Sequence, residues 1–528
     1  MVEEKRFIPK TMTTQHPDNA NTPPWSSQTN GVIEGETELD EAYIAYSKLA
    51  CSEVMWDSEG KDVDTNVVRK LLSKYSDYFM DNVFGRDIFL TYRIPNPLVE
   101  KAERKIVTQT LQSIPLQSDV ASAFYERETV PVSSVILPFT TKGAELLWLD
   151  RCYGRAIAGI EDISLGGTMK VKDWVGGFLP KRLEAIPLVE DAASLSSIDR
   201  IVMEYISAVK PRVMRVFIAR SDPALNYGLI TAVLLSKVAL SRLSKVQKKT
   251  GVRLNPILGV GTMPFRGHLN PENIENFLAE YRGLSTVTIQ SAFRYDYPAE
   301  SVERGIATLN QQLPNGELAD MDEDQERLIE GAMKKLIPVF QARVEILAPM
   351  INYVASFIPT RRARKLHIGL FGYSRRVKGV TMPRAIPFAA AFYSLGVPPE
   401  FIGAQALRSL TDKELEAVKR TYKGIQFDYR VAGSLVSWET VHLLVDKYDV
   451  MAKITQMNKE KLKNALRYVM TDLSTVEETL SLPLGPSDNR SKKHENFVNT
   501  FMMSAMDGER SSASNAFIEA AKLRRCLG

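Results

Sequence analysis

Cysteine is scarce in this chain, with only Cys51, Cys152 and Cys526 in 528 residues. The three lie far apart and in no metal-ligand spacing, which excludes a disulfide framework and a cysteine-rich zinc module and points to a reducing compartment. No apolar run reaches the roughly 18 residues that a membrane span needs. Met1 to Lys10 carry charges of both signs and no apolar stretch, so no secretory signal is expected and the predicted location is cytoplasmic. Net charge is also low, at +4, and gives no electrostatic footprint for nucleic acid. Neither a nucleic-acid partner nor a membrane partner is expected. Internal repeats, low-complexity tracts and a glycine-rich dinucleotide turn are missing as well. What remains is ordinary for a folded enzyme, with 44% hydrophobic and 25% charged residues.

The recurring feature is a short apolar run that ends in a polar residue and is followed by a loop and a helical pattern. Eight such runs read as strands: Val54–Trp56, Ile88–Tyr92, Val135–Phe139, Ile186–Val189, Val216–Ala219, Leu254–Val260, Thr286–Ile289 and Leu366–Phe371. They alternate weakly, as strands buried on both faces do. After the fifth run, Leu229, Val233, Leu240 and Leu243 fall on one helical stripe, and Gly251 follows as a C-terminal stop. Strand, loop, amphipathic helix and strand, repeated eight times, predicts an α/β fold: a (β/α)8 TIM-type barrel. Residues 1–50 form an N-terminal segment, residues 51–383 the barrel with a helical insertion at about 318–357, and residues 384–528 a helical extension packed with the barrel as one unit. The polar stretch Asp488 to Glu509 reads as a mobile loop.

In a parallel barrel, catalytic groups leave the C-terminal ends of the strands. The groups that follow the apolar runs here include Asp57, Arg93, Glu190, Ser221-Asp222, Arg266, Gln290 to Arg294 and Ser374-Arg375. Glu190 and Asp222 leave neighbouring strands, and two hard oxygen ligands on one rim suit Mg²⁺ or Mn²⁺. The plainer alternative is that each carboxylate caps the helix after it. Phe371 to Arg384 is a glycine-punctuated loop with four cations that ends at a helix start, suited to phosphate or equally to a solvated basic loop. Arg361-Arg362-Ala363-Arg364-Lys365 is a denser cluster without interleaved aromatics and reads as a solvated face. His16 lies in Thr13-Thr14-Gln15-His16-Pro17-Asp18-Asn19, a turn-forming string that presents a histidine as acid, base or structural group.

Taken in order, these strings resemble the archaeal-type phosphoenolpyruvate carboxylases. Thr13 to Asn19 is similar to the family's T-x-H-P block, and Ile186-Pro187-Leu188-Val189-Glu190 to its P-L-F-E-T block. Ser221-Asp222 resembles Y-S-D-S, and Gly261 to Gly267 resembles a glycine-rich segment that ends in a catalytic arginine. Ser374-Arg375 and Arg384-Ala385-Ile386-Pro387 are similar to S-R-P and L-R-A-I-P-W, with a shorter loop between the arginines. The family's lysine, histidine and arginine at three further places are replaced by Leu225, Leu258 and Val260. Arg220, Lys170, Arg294 and Arg376 are the cations available to compensate.

The resemblance implies irreversible carboxylation of phosphoenolpyruvate by bicarbonate to oxaloacetate and phosphate, replenishing four-carbon acids. Bicarbonate attacks phosphorus, giving carboxyphosphate and the enolate of pyruvate; carbon dioxide is then released and captured by the enolate. It also implies roles. Glu190 and Asp222 hold Mg²⁺, with Mn²⁺ as an alternative; Arg93, Arg375 and Arg384 bind the substrate phosphate; Arg266 positions bicarbonate, and His16 acts in carboxylation. Neither biotin nor ATP is required, and the expected assembly is a homotetramer. Gly259 to Gly267 and Ser374 to Pro383 are expected lids.

Overall fold

The structure is a computed structural model that describes residues 7–23, 25–26, 31–59, 64–100, 104–362, 375–377 and 380–528, with the backbone alone at 375–377 and 380–381. The strands in chain order are β1 (Thr11–Thr13), β2 (Glu53–Asp57), β3 (Phe89–Arg93), β4 (Ser134–Leu137), β5 (Ser164–Gly166) and β6 (Met169–Lys170). They continue with β7 (Glu184–Val189), β8 (Val213–Ala219), β9 (Arg253–Gly259), β10 (Thr286–Ile289), β11 (Arg375–Val377) and β12 (Val380–Met382). Eight of these close a parallel barrel in the order β1-β10-β9-β8-β7-β4-β3-β2. Strands β5 with β6 and β11 with β12 form separate antiparallel hairpins.

Seven barrel strands fall where the apolar runs predict them. The eighth does not. Leu366–Phe371 lies outside the described residues, and the remaining place in the wall is filled by β1, paired in parallel to β10 and β2. The segment 1–50 thus contributes a stave of the barrel. Inside the barrel, Met12, Met55, Ile136, Ile186, Phe217 and Ile257 pack as one apolar layer, as barrel interiors do. Below it the Glu53 carboxylate takes paired hydrogen bonds from Arg215, at 2.8 and 2.6 Å, which satisfies two charges that would otherwise be costly to bury.

The helix Leu229–Thr250 matches its stripe and ends at Gly251 with φ 71°. The inserted helix, Glu323–Ala355, starts at Asp322, whose side chain accepts the Gln325 N–H, and Ala355 at its far end reaches the barrel mouth. The polar stretch after Asp488 is a correction. It forms a helix, Asn489–Met506, because Asp488 and Ser491 make a reciprocal capping box. Behind that cap, His494, Val498, Phe501, Met502 and Ala505 recur at helical spacing and are buried.

Candidate active site

At the C-terminal mouth of the barrel the strand ends enclose a cavity of about 350 Å³. Each wall of it can be traced to the residue that follows a strand: Glu190 after β7, Arg220 to Asp222 after β8, Gly259 ending β9, Gln290 after β10, His16 beyond β1, Glu59 beyond β2, Arg93 ending β3 and Phe139 beyond β4. Arg266 and Arg384 complete the polar lining. Six of the seven residues singled out from the sequence therefore meet in one cavity: His16, Arg93, Glu190, Asp222, Arg266 and Arg384. Of Arg375 the backbone alone is described, on β11, where it pairs with Met382 of β12.

The two carboxylates are placed differently from simple caps. Asp191, one residue beyond Glu190, is the cap of the helix Ala192–Leu195, accepting the Ser194 N–H at 2.9 Å. Glu190 is left to face the cavity, where its Oε2 accepts the Phe139 N–H at 2.9 Å. Phe139 makes that bond from the left-handed region, φ 52°, a conformation unfavourable for a bulky residue and common at functional sites. Asp222 lies in the first turn of the helix Ser221–Tyr227 and lines the same cavity. Strands β7 and β8 are adjacent, so two hard oxygen donors on neighbouring staves fit a divalent cation.

The cations divide into compensated and exposed. Arg93 is paired to Asp57 and also lies 3.1 Å from Glu59. Burial disfavours its charge, but the two carboxylates outweigh burial and push Arg93 upward. Arg220, buried, donates from Nε to Tyr281 Oη at 3.1 Å and from Nη1 to Phe265 O at 3.2 Å while lining the cavity. Arg384 is exposed and precedes the helix Ala385–Ser394, whose first residues also line the cavity, so a side-chain cation and the N-terminal backbone converge there.

Arg266 is only 2% exposed. Its turn is closed by Gly267 at φ 123°, where an added Cβ would lie 2.5 Å from Val260 Cγ1. Residues Val260 to Asn270 are all buried, so the segment Gly259 to Gly267, expected as a lid, is part of the packed wall. His16 Nδ1 meets Thr14 Oγ1 at 2.9 Å. The turn that carries His16 is fastened by Asp296, whose carboxylate accepts the backbone N–H groups of Ala20 at 2.6 Å and Asn21 at 2.7 Å. Burial pushes the Asp296 carboxyl up to about 7.

Arg361 and Arg362 correct the solvated-face reading. Arg361 donates to the carbonyl oxygens of Asn19 and Ala20, and Arg362, 2% exposed, pairs with Glu38 at 2.9 Å and Glu41 at 2.5 Å. Both line the cavity. Ala363 to Lys365 lie outside the described residues. Among the compensating cations, Arg220 alone is described at the cavity. Lys170 is exposed on β6 beside Asp162, and Arg294 is buried against Glu41 and the Thr14 carbonyl. The Arg376 side chain lies outside the described residues. Leu225, Leu258 and Val260 belong to the apolar core.

A family model described as phosphoenolpyruvate carboxylase matches residues 8–528. The chain belongs to the phosphoenolpyruvate carboxylase family. It is 44% identical over 523 residues to the phosphoenolpyruvate carboxylase of Metallosphaera sedula, covering 99% of this chain and 100% of that one. It is 42% identical to that of Caldivirga maquilingensis over 523 residues, again 99% and 100% of the two chains. The Picrophilus torridus protein of the same name is 46% identical over 457 residues, 87% of this chain and 89% of that one. The chain is thus a carboxy-lyase of the archaeal type, making oxaloacetate and phosphate from phosphoenolpyruvate and bicarbonate.

Proposed function

We propose that the barrel-mouth cavity is where phosphoenolpyruvate is carboxylated. The observation that carries this reading is the convergence of His16, Arg93, Glu190, Asp222, Arg266 and Arg384, from six separate places in the chain, on one cavity. Glu190 and Asp222 would hold Mg²⁺, or Mn²⁺. When bound, that ion supplies positive charge against the substrate oxygens.

Arg384 and Arg375 grip the phosphoryl group, where negative charge spreads over the equatorial oxygens during transfer. Arg93 adds to the grip through a guanidinium already fixed by Asp57 and Glu59. Arg266 orients bicarbonate and then carboxyphosphate, while His16 acts on the proton balance of the carboxylation step. The apolar part of the wall, including Leu188, Phe217 and Ile386, limits water, which would otherwise protonate the enolate. No biotin or ATP enters this scheme. No single described helix is long and apolar enough to cross a membrane. The family resemblance supports a cytoplasmic homotetramer.

The test is oxaloacetate formation measured with and without bicarbonate and Mg²⁺, in the parent and in Asp222→Asn. Turnover should need both components, and the variant should lose about a hundredfold or more with weakened Mg²⁺ binding. Bicarbonate-independent turnover, or normal metal affinity in the variant, would overturn the reading.

A further inference from the structure

We propose that Asp18 is a positioning residue for carboxylation, fixing the direction of the Arg266 guanidinium and locking it to the His16 turn. This rests on the role given to Arg266 above.

Asp18 is fully buried and makes its contacts to four separate parts of the chain. Its Oδ2 accepts from Arg266 Nη1 at 2.9 Å, and its Oδ1 accepts the Ala292 N–H, just beyond β10, at 2.7 Å. Its own N–H donates to the His16 carbonyl at 3.1 Å, and its carbonyl accepts the Leu527 N–H at 2.7 Å. A rotation of Asp18 would therefore disturb the histidine turn, the end of β10, the C-terminal residues and Arg266 together.

The Arg266 donors show what this fixation achieves. A guanidinium has five N–H groups in one rigid plane. Nη1 uses its two on Asp18 and Gly528 O, the latter at 2.6 Å; Nη2 uses one on Gln290 Oε1 at 2.5 Å; and Nε uses its one on Ser221 Oγ at 3.3 Å. One Nη2 N–H has no partner among the described residues, and Arg266 lines the cavity. The Asp18 carboxylate also cancels most of the charge on Arg266, so the pair adds little net attraction for an anion. What the pair supplies is a single donor in a fixed direction. That matters most where bicarbonate, and then the carboxyphosphate that releases carbon dioxide beside the enolate, must be held in one orientation, since a displacement of about 1 Å can cost roughly a hundredfold in rate.

The alternative is that Asp18 is a structural staple, as buried ion pairs often are. The experiment compares Asp18→Asn, Arg266→Lys and the double variant. Asparagine is nearly isosteric and its amide oxygen can still accept from Ala292, but its NH2 group then faces the Arg266 donors, so the buried pair is lost and some stability with it; Asp18→Ala, which strands both partners, serves as the stability control. The readouts are kcat, KM for bicarbonate, the ratio of pyruvate to oxaloacetate, and melting temperature. Asp18→Asn should lower kcat by about ten- to a hundredfold and raise the pyruvate share, with a melting temperature that falls less than in Asp18→Ala. In the Arg266→Lys background the same change should add little, because the two residues act as a unit. An equal loss in both backgrounds, or a normal product ratio in Asp18→Asn, would overturn the proposal while leaving Arg266 in place. Normal turnover and product ratio in Arg266→Lys alone would overturn the role of Arg266 itself.

Discussion

Arg93 meets Asp57 through two parallel hydrogen bonds, Nε to Oδ1 at 2.9 Å and Nη2 to Oδ2 at 2.6 Å. A fork already occupied by a carboxylate is a different phosphate ligand from Arg384, which stands exposed before a helix N-terminus. Arg93 is thus an arginine whose charge is balanced inside the protein, and Arg384 one that is exposed to a ligand.

That contrast gives a prediction. Arg384→Lys keeps the charge but loses the planar fork, so kcat/KM for phosphoenolpyruvate should fall by roughly ten- to a hundredfold. The fold should be unaffected, since the position is exposed. Arg93→Lys should differ in kind: it breaks a buried paired geometry with Asp57, so its melting temperature should drop together with activity. Steady-state kinetics and thermal melts on both variants check this. A normal kcat/KM in Arg384→Lys would remove that residue from the phosphate site.

The sequence made most of this fold legible because seven of the staves carry apolar runs, several with a candidate functional residue beyond the end. The eighth was hidden for a physical reason. β1 is Thr-Met-Thr, and its polar side chains find partners once the chain is folded: Thr11 Oγ1 donates to Asn310 Oδ1, on the helix Ala299–Gln312, at 2.9 Å. Hydrophobic periodicity does not register such a strand. Arg362 was missed similarly, since a cation in a basic string looks solvated until Glu38 and Glu41, more than 300 residues earlier, are brought to it. The helix after Asp488 did leave a local signal, the Asp-x-x-Ser cap, beneath a polar composition that suggested a loop. For the site itself, the motif residues were legible one by one. Glu59, Arg361 and the Phe139 N–H on Glu190 belong to no motif, and folding alone brings them to the cavity.

Glu400 ties pH to stability behind the Arg266 turn. It is buried, and its Oε1 accepts the Phe265 N–H at 2.9 Å and the Tyr393 hydroxyl at 2.7 Å. Burial pushes its carboxyl from 4.5 up to about 7, although those two donors pull it down. The folded protein therefore holds a proton that the unfolded chain releases near 4.5. This contribution to stability is complete below that value and is lost as pH rises through about 7, a loss on the order of 3 kcal/mol by pH 8. Glu400→Gln, which cannot ionise, should match the parent near pH 5 and melt higher than the parent at pH 8. A difference in melting temperature that does not change with pH would show that the Glu400 charge is not responsible.

The last prediction separates the two half-reactions at His16. His16 shares the cavity with the carboxylates and arginines, and its Nδ1 is held by Thr14 Oγ1 at 2.9 Å. If His16 acts after carboxyphosphate has formed, bicarbonate-dependent phosphate release does not need it. Asparagine at this position keeps a polar group within reach of Thr14 but cannot manage a proton near neutral pH. His16→Asn should therefore still release phosphate, while the enolate, no longer carboxylated efficiently, takes a proton and leaves as pyruvate. The expected signature is a switch in product, with phosphate and pyruvate persisting as oxaloacetate disappears. The turn is independently fastened by Asp296 and Arg361, so the variant should melt close to the parent temperature. A purely structural histidine would give another pattern: phosphate, pyruvate and oxaloacetate would fall together with a lowered melting temperature. Measuring the three products side by side, with a thermal melt on the same preparation, decides between the two.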